Sequence, residues 1–353
     1  MNKFKKILIT GGAGFIGSNF INRLLKETDS LLFNIDKMNY SSDLYFINEL
    51  QNKHSSRFNH FKVDLKNVKD TLNAIENSDP DLVINFAAES HVDRSLELPI
   101  NFIDSNIIGT FNLLEASKHH WKNLDSYRKN LFRFYHISTD EVFGSLGELG
   151  SFTEDTPYEP RSPYSATKAA SDHLVNAWNK SFNLPTIISN CSNNFGPRQF
   201  PEKLIPLTIF NCFAKKEIRV YGDGQNIRDW LYVEDHIDAI FSIANNGVIG
   251  GKYCIGGFGE VSNIKIVKLI CEIMEKKFPE NSFSELIKFV KDRPGHDRRY
   301  AIDSTKIQKE LGWSPKYNLY EGLVNTINWY IDNKSWLLKS FKESGYKGER
   351  LGL

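Results

Sequence analysis

The stretch Ser138-Thr139-Asp140-Glu141-Val142-Phe143-Gly144 places a hydroxyl beside two adjacent carboxylates, directly after the strand-like run Phe132–Ile137. Neighbouring carboxylates resist ionising together, so one tends to keep its proton and act as an acid while the other stays a base. Taken alone, Thr-Asp-Glu after a strand is an ordinary helix cap. It gains chemical weight from a second pair. Tyr164 and Lys168 stand four residues apart in an Ala-rich stretch, after a loop holding Pro157, Pro160 and Pro163. That spacing puts them on one helical face. A phenol titrates near about 10, and a nearby ammonium is expected to favour the phenolate. Such a pair suits the acid/base work of a redox step on a hydroxyl.

These groups need a scaffold. Lys6–Thr10 is a short β-rich run, followed at once by Gly11-Gly12-Ala13-Gly14-Phe15-Ile16-Gly17. Phe15, Ile16, Phe20, Ile21, Leu24 and Leu25 then recur at helical spacing. Strand, glycine turn and helix form the setting of a dinucleotide fingerprint, in which backbone and helix N-terminus receive the pyrophosphate. The next strand-like run, Leu31–Ile35, ends in Asp36, where the ribose-binding acid belongs. A carboxylate there repels a 2′-phosphate by on the order of 4 kcal/mol at about 4 Å and an effective dielectric of about 20. Lys37 softens that repulsion, so NADP is disfavoured and NAD is the expected cofactor.

Further strands are expected at Phe58–Val63, Asp81–Phe86 and Thr186–Asn190, and an apolar helix opened by Ser105-Asn106. His91, Asp93 and Arg94 read as a loop helix with one residue facing a ligand, rather than as a metal site. The pattern predicts an α/β fold: a Rossmann-type doubly wound parallel sheet with a smaller, mostly C-terminal α/β substrate-binding lobe. Residues 1–188 are expected to form the NAD-binding domain, with segments near 218–245 returning to it, and residues 189–353 mainly the substrate lobe.

The bulk numbers narrow the function. A chain of 353 residues with 44 basic and 43 acidic side chains, net charge +1, gives no support to nucleic-acid or polybasic membrane roles. Cys191, Cys212, Cys254 and Cys271 are scattered without paired metal spacing, and no apolar stretch is long enough for a signal peptide or a membrane span. A cytoplasmic protein without a metal is expected. In the second half, Arg219-Val220-Tyr221, Arg228-Asp229-Trp230 and Asp292-Arg293-Pro294-Gly295-His296 place arginines beside aromatics and glycines. Arginine forks suit phosphate oxygens. Together with a NAD fold, they point to a nucleotide diphosphate substrate.

TGGAGFIGS, AAESHVDRS, STDEVFG, YSATKAASD, SNNFGP, FPEKLIP, IRDWLYVEDH and DRPGHDRRYAID make the chain similar to the extended short-chain dehydrogenase/reductases. Within them it resembles the dTDP-glucose 4,6-dehydratases, from Ile7 to about Trp313. The resemblance implies lyase chemistry on dTDP-glucose: oxidation at carbon 4, elimination across carbons 5 and 6, and hydride return to carbon 6. It implies that Tyr164 is the redox base, Lys168 its partner at the nicotinamide ribose, Asp140 the acid and Glu141 the base of the elimination, with Thr139 and Ser90 on the sugar. Cofactor contacts are implied for Gly11, Gly14, Phe15, Ile16, Gly17, Asp36, Lys37, Met38 and Asn39. The same holds for Asp64, Leu65, Phe86, Ala87, Ala88, Ser105 and Asn194. Asn193, Lys203, Leu204, Arg219, Tyr221, Arg228 and Asn263 would bind the nucleotide sugar, with Asp292, Arg293, Pro294, Gly295 and His296. A homodimer is the family expectation.

Two positions depart from the family pattern: Phe143, where Tyr is usual, and Arg198, where an aromatic is common and which adds a charge near the substrate loop. Both bear on substrate preference. A 4-epimerase of the same superfamily would share the glycine loop and the Tyr/Lys pair, but has no use for an adjacent acid and base. A non-catalytic NAD sensor would need neither pair.

Overall fold

The computed structural model describes residues 1–293 and 295–346. In chain order the strands are β1 (Lys6–Thr10), β2 (Leu31–Asp36), β3 (Phe58–Lys62), β4 (Leu82–Asn85), β5 (Arg133–Thr139) and β6 (Thr186–Cys191). They continue with β7 (Asn193–Phe195), β8 (Ile218–Tyr221), β9 (Ile227–Tyr232), β10 (Lys252–Ile255), β11 (Glu260–Ser262) and β12 (Ile287–Val290). One parallel sheet runs in the order β10-β6-β5-β4-β1-β2-β3. The chain therefore starts mid-sheet, winds out through β3 and returns past β1 to β4. At this reversal a crevice opens beyond the carboxyl ends of the strands.

Strands covered on both faces need apolar residues at every position. In β1, Ile7 and Ile9 enter one core and Leu8 the other. The helix Phe15–Glu27 buries Phe20, Ile21 and Leu24 in the first of these. The helix Pro163–Phe182 starts firmly: Pro163 occupies its first turn, and Ser162 and Ser165 cap each other's backbone N–H groups. Tyr164 and Lys168 thus ride on a helix whose first turn is fixed.

One expected boundary is wrong. Ser105 and Asn106 do not open a helix. The helical path begins at Pro99–Phe102, passes through a π-helical turn, Ile103–Ile108, and continues as Gly109–Asn123. Apolar periodicity could not show this, because a π turn interrupts the 3.6-residue rhythm. Asn106 is buried within the turn, accepting from the Glu89 N–H and donating to Glu89 O and Thr167 Oγ1.

Later segments are interleaved. The helix Val233–Asn246 lies against Phe15–Glu27, where Arg23 pairs with Glu234 (3.1 Å) and Asp238 (2.7 Å). β8 pairs with β12, whereas β9 lies between β7 and β11 in a small three-stranded sheet. β10 then supplies the outer strand of the large sheet.

Candidate active site

Two cavities share Glu141 in their walls. The first, of about 300 Å³, follows the carboxyl ends of β1, β2, β4 and β5. Its floor is backbone. Gly11 has φ +71°, and a Cβ there would stand 2.8 Å from Ala87 Cα. At Gly17 a Cβ would stand 2.4 Å from Gly11 O, so the helix packs directly on the turn. The first helical bond runs from Ser18 N–H to Gly14 O (2.9 Å), which leaves the N–H groups of the first helical turn, Phe15 to Gly17, for an anion. Asp36, 7% exposed, accepts from Ala13 N–H (3.0 Å) at Oδ2 and from Met38 N–H (2.9 Å) and Ser42 (3.0 Å) at Oδ1. These bonds aim its remaining lone pairs at the cavity. The cradle fits a dinucleotide.

Lys37, which could soften the repulsion at Asp36, has partners of its own. It donates to Ser105 Oγ (2.8 Å) and pairs with Glu89 (2.5 Å), so its charge is already engaged. Phe15, Ile16, Asn39, Asp64, Leu65, Phe86, Ala87, Ala88, Ser105 and Asn194 all line this cavity. Met38 does not. Its backbone is left-handed (φ +59°) and its side chain packs toward the core, leaving only its N–H to hold Asp36.

β5 extends to Thr139, two residues beyond the strand-like run. The Thr139 hydroxyl accepts from Glu141 N–H (3.3 Å), starting a 3₁₀ turn over Asp140–Phe143, and donates to Asp140 Oδ1 (3.2 Å). The cap and the chemistry are therefore one feature. Asp140 is 1% exposed and its Oδ2 has no hydrogen-bond partner. Burial, then Glu141 and Asp229, push its carboxyl well above the usual range against the pull of Arg228. Burial also raises Glu141, although Arg293, Lys203 and Arg228 pull it down. The environment thus favours a protonated Asp140, while three cations favour charge on Glu141.

Tyr164 departs from the expected phenolate. Burial, followed by Glu141 and Cys191, pushes its phenol well above the ordinary value, and a hydrogen bond with Thr139 opposes this. Lys168 Nζ donates instead to Ile137 O (2.8 Å). Both side chains line the first cavity, with Thr139, Asp140 and Glu141.

The second cavity, of about 790 Å³, is walled by long side chains. Arg228 lies 4.3 Å from the Tyr300 ring centre and donates to Ile227 O (2.8 Å) and Asp297 O (3.0 Å). Arg293 donates to Asp93 (2.6 Å) and its Nε is unpaired. Lys203 donates to Ser90 O (2.8 Å). Asn193, with an unpartnered Oδ1, and Lys203 face both cavities. Leu204, Arg219, Tyr221, Asn263 and His296 line the second, and Ser90 the first. Asp292 and Gly295 line neither. Asp292 accepts from His296 Nδ1 (2.7 Å), orienting that ring, and Gly295 supplies a left-handed turn. Pro294 lies outside the described residues.

The two departures are also placed. Phe143 stacks on Phe152 (5.2 Å) and meets Tyr158 edge-on (5.3 Å), where a hydroxyl has no use. Arg198 does not charge the substrate loop: it pairs with Asp43 (3.0 Å) and lies over Phe46 (4.4 Å). Glu202, Tyr300 and Asp172 were missed. Glu202 faces both cavities and accepts from Arg94 (2.8 Å) and Tyr40 (2.9 Å). A carboxylate between Pro201 and Lys203 was its only sequence signal. Among the described residues no cluster fit to hold a metal exists.

Residues 8–326 match the family model described as GDP-mannose 4,6 dehydratase. The chain is 48% identical over 362 residues to a dTDP-glucose 4,6-dehydratase of Escherichia coli, covering 99% of each. Its fold is similar to that of a dTDP-glucose 4,6-dehydratase from Bacillus anthracis solved in complex with NAD (TM-score 0.83, 39% identity, 95% of this chain and 99% of that one). The enzyme of that name from Streptomyces venezuelae, solved with NAD bound, gives a TM-score of 0.85 at 34% identity, with the same coverage.

Proposed function

The chain belongs to the GDP-mannose 4,6-dehydratase family, and on that premise we propose how its residues divide the reaction. It is an NAD-dependent hydro-lyase that converts dTDP-glucose to dTDP-4-keto-6-deoxyglucose and water. The observation that supports the division is the meeting of the two cavities at an adjacent acid and base. NAD, when bound, accepts a hydride from carbon 4 and returns it to carbon 6.

Tyr164, whose buried phenol must first give up its own proton, takes the proton of the 4-hydroxyl, with Thr139 bonded to that oxygen. The 4-ketone acidifies carbon 5. Glu141 removes the carbon 5 proton, its charge supported by Arg293, Lys203 and Arg228, and returns a proton to carbon 5 as carbon 6 receives the hydride. Asp140, kept protonated by burial, gives its proton to the departing 6-hydroxyl. Arg228, Arg293 and Lys203 grip the diphosphate, and Asn193 and Asn263 contribute polar contacts. The glycine turn holds the pyrophosphate of NAD, Asp36 the adenosine ribose and Lys168 the nicotinamide ribose. Residues 1–188 thus serve mainly the cofactor and 189–353 mainly the sugar nucleotide.

Incubation with dTDP-, UDP-, CDP- and GDP-glucose tests this. A 4-keto-6-deoxy product, formed fastest from dTDP-glucose, is expected. Interconversion at carbon 4 alone would favour an epimerase.

A homodimer is part of the proposal. Leu98 and Ile100, each 57% exposed, and the exposed Ile103, Ile108, Phe111 and Phe182 are large apolar side chains that a second copy would cover. Light scattering should give twice the chain mass. We also place the protein in the cytoplasm, consistent with four free buried cysteines and with no helix among the described residues long and apolar enough to cross a membrane.

A further inference from the structure

Tyr164, Lys168 and Asp172 form one stripe at intervals of four on the helix Pro163–Phe182. The first two line the cofactor cavity, whereas Asp172 does not and has no part in the reaction above. We propose that Asp172 is a positioning residue: the buried counter-charge that, across His136, keeps Lys168 cationic and aimed at the cofactor site. The proposal rests on the role given to Lys168.

Asp172 is 2% exposed. Its Oδ2 accepts from Tyr158 (2.7 Å), Ser138 (2.9 Å) and Asn190 (3.1 Å). Its Oδ1 has no well-formed hydrogen bond and faces His136 Nε2 at 3.4 Å. The Asn85 amide oxygen accepts from Thr10, so its Nδ2 points to His136 Nδ1 (3.1 Å). The proton of the ring is thereby assigned to Nε2, toward Asp172. Lys168 Nζ lies 3.4 Å from the same Nε2. His136 is thus a neutral spacer between a cation and an anion, its own value pushed down to about 4 by burial and by Lys168.

An ammonium 4% exposed is costly to keep charged. Burial lowers the value of Lys168, and Asp172 is the larger of the two groups opposing that, Cys191 being the other. Burial would raise Asp172, but the His136 ring N–H, the Lys168 charge and the Tyr158 hydrogen bond outweigh it, and the carboxyl lies below the usual range. The ionisable groups around the pair are His136 on β5, Cys191 on β6, Tyr158 in the preceding loop and Tyr164 on the same helix. Beyond Tyr158, a separate cavity of about 300 Å³ touches Asp172, with Glu154, Asp155, His173 and Lys252 in its wall. Lys252 lies 4.4 Å from the Tyr158 ring centre. None of these replaces Asp172 as an anion facing Lys168.

Asp172→Asn keeps the shape and removes the charge. Lys168 should then lose its proton at lower pH, moving the alkaline limb of kcat/KM down by about one pH unit or more. NAD affinity, read by titration calorimetry, should fall in the same pH range, while KM for dTDP-glucose holds within about twofold. Asp172→Glu should restore the limb in part. A lowered melting temperature with an unmoved limb and unchanged NAD affinity would overturn the proposal. Should Asp172→Asn not fold, a cycle with Lys168→Met decides. Without its cation Asp172 is an unpaired buried charge, so Lys168→Met/Asp172→Asn should melt above Lys168→Met alone. A double variant that melts lower refutes the coupling. NAD binding and melting do not depend on the sugar, so they still report on Asp172 if the dehydratase reading fails on every nucleotide-glucose.

Discussion

The two cavities are built on opposite plans. The floor of the cofactor cavity is the backbone of the glycine turn after β1, and its tolerances are steric: a Cβ at Gly17 would stand 2.4 Å from a carbonyl oxygen. The sugar-nucleotide cavity is made of long charged side chains drawn from segments as far apart as Asp93 and Arg293. Its tolerances are electrostatic. A site of the first kind fails through shape, and one of the second through lost charge while its shape survives. Glu141 belongs to both walls, so its loss should be felt in both.

The sharpest challenge is therefore Glu141→Gln. The amide keeps the shape but cannot take the carbon 5 proton, and loss of a positioned base costs about 10²–10⁴-fold in turnover. Exchange of solvent deuterium into carbon 5 should fall in step with product formation. If exchange persisted while turnover fell, another base would be at work. For the steric cavity, Gly17→Ala should weaken NAD by roughly ten- to a hundredfold, the equivalent of about 1–3 kcal/mol of overpacking. KM for dTDP-glucose measured at saturating NAD should stay put. For the electrostatic cavity, Arg228→Met keeps an apolar stem and deletes the guanidinium that lies over Tyr300. KM for dTDP-glucose should rise about ten- to a hundredfold, since a charge-assisted bond contributes roughly 1.5–3 kcal/mol; an unchanged KM would remove Arg228 from the diphosphate.

The smallest effect concerns stability. Asp140 has its folded value raised, so between the ordinary carboxylate value of about 3.9 and that raised value the folded state holds a proton the unfolded state releases. Its stabilising contribution is complete below the unfolded value and is lost as pH rises through the folded one. Asp140→Asn should accordingly melt higher than the wild type at alkaline pH, by roughly 2–4 °C per kcal/mol relieved. The gap should close as pH falls. A constant gap at every pH would mean that the Asp140 charge is not what costs stability.

The same division explains what could be read without a structure. Gly11 to Gly17 and Asp36 lie within one strand-turn-helix-strand unit, and short-range spacing alone located them. Tyr164 and Lys168 were legible through helical periodicity. Asp172 continues that interval, yet its meaning depends on His136 on a strand folded beneath it, which no local pattern shows. The Tyr164 phenol was expected to be lowered by Lys168, because spacing places two residues on a face without saying where a flexible amine points. Met38, Asp292 and Gly295 sit beside residues that do line a cavity, and adjacency in sequence does not choose a side. The π turn at Ile103–Ile108 was hidden for a related reason: its extra residue per turn shifts the apolar phase.

Asp43 has a consequence for how relatives of this chain diverge. Its N–H donates to Ala13 O, its Oδ1 caps the helix Leu44–Lys53, and its Oδ2 accepts from both Arg198 and Trp336 (2.7 Å). One side chain thereby joins the glycine turn, the loop after β7 and the last described helix. A relative with an aromatic in place of Arg198 leaves that carboxylate short of its cation, so the three positions should drift as a set and exchange poorly one at a time. Grafting the Arg198 loop alone into such a relative should cost more than grafting it with its partners at 43 and 336, which makes this corner a unit of inheritance rather than three independent sites.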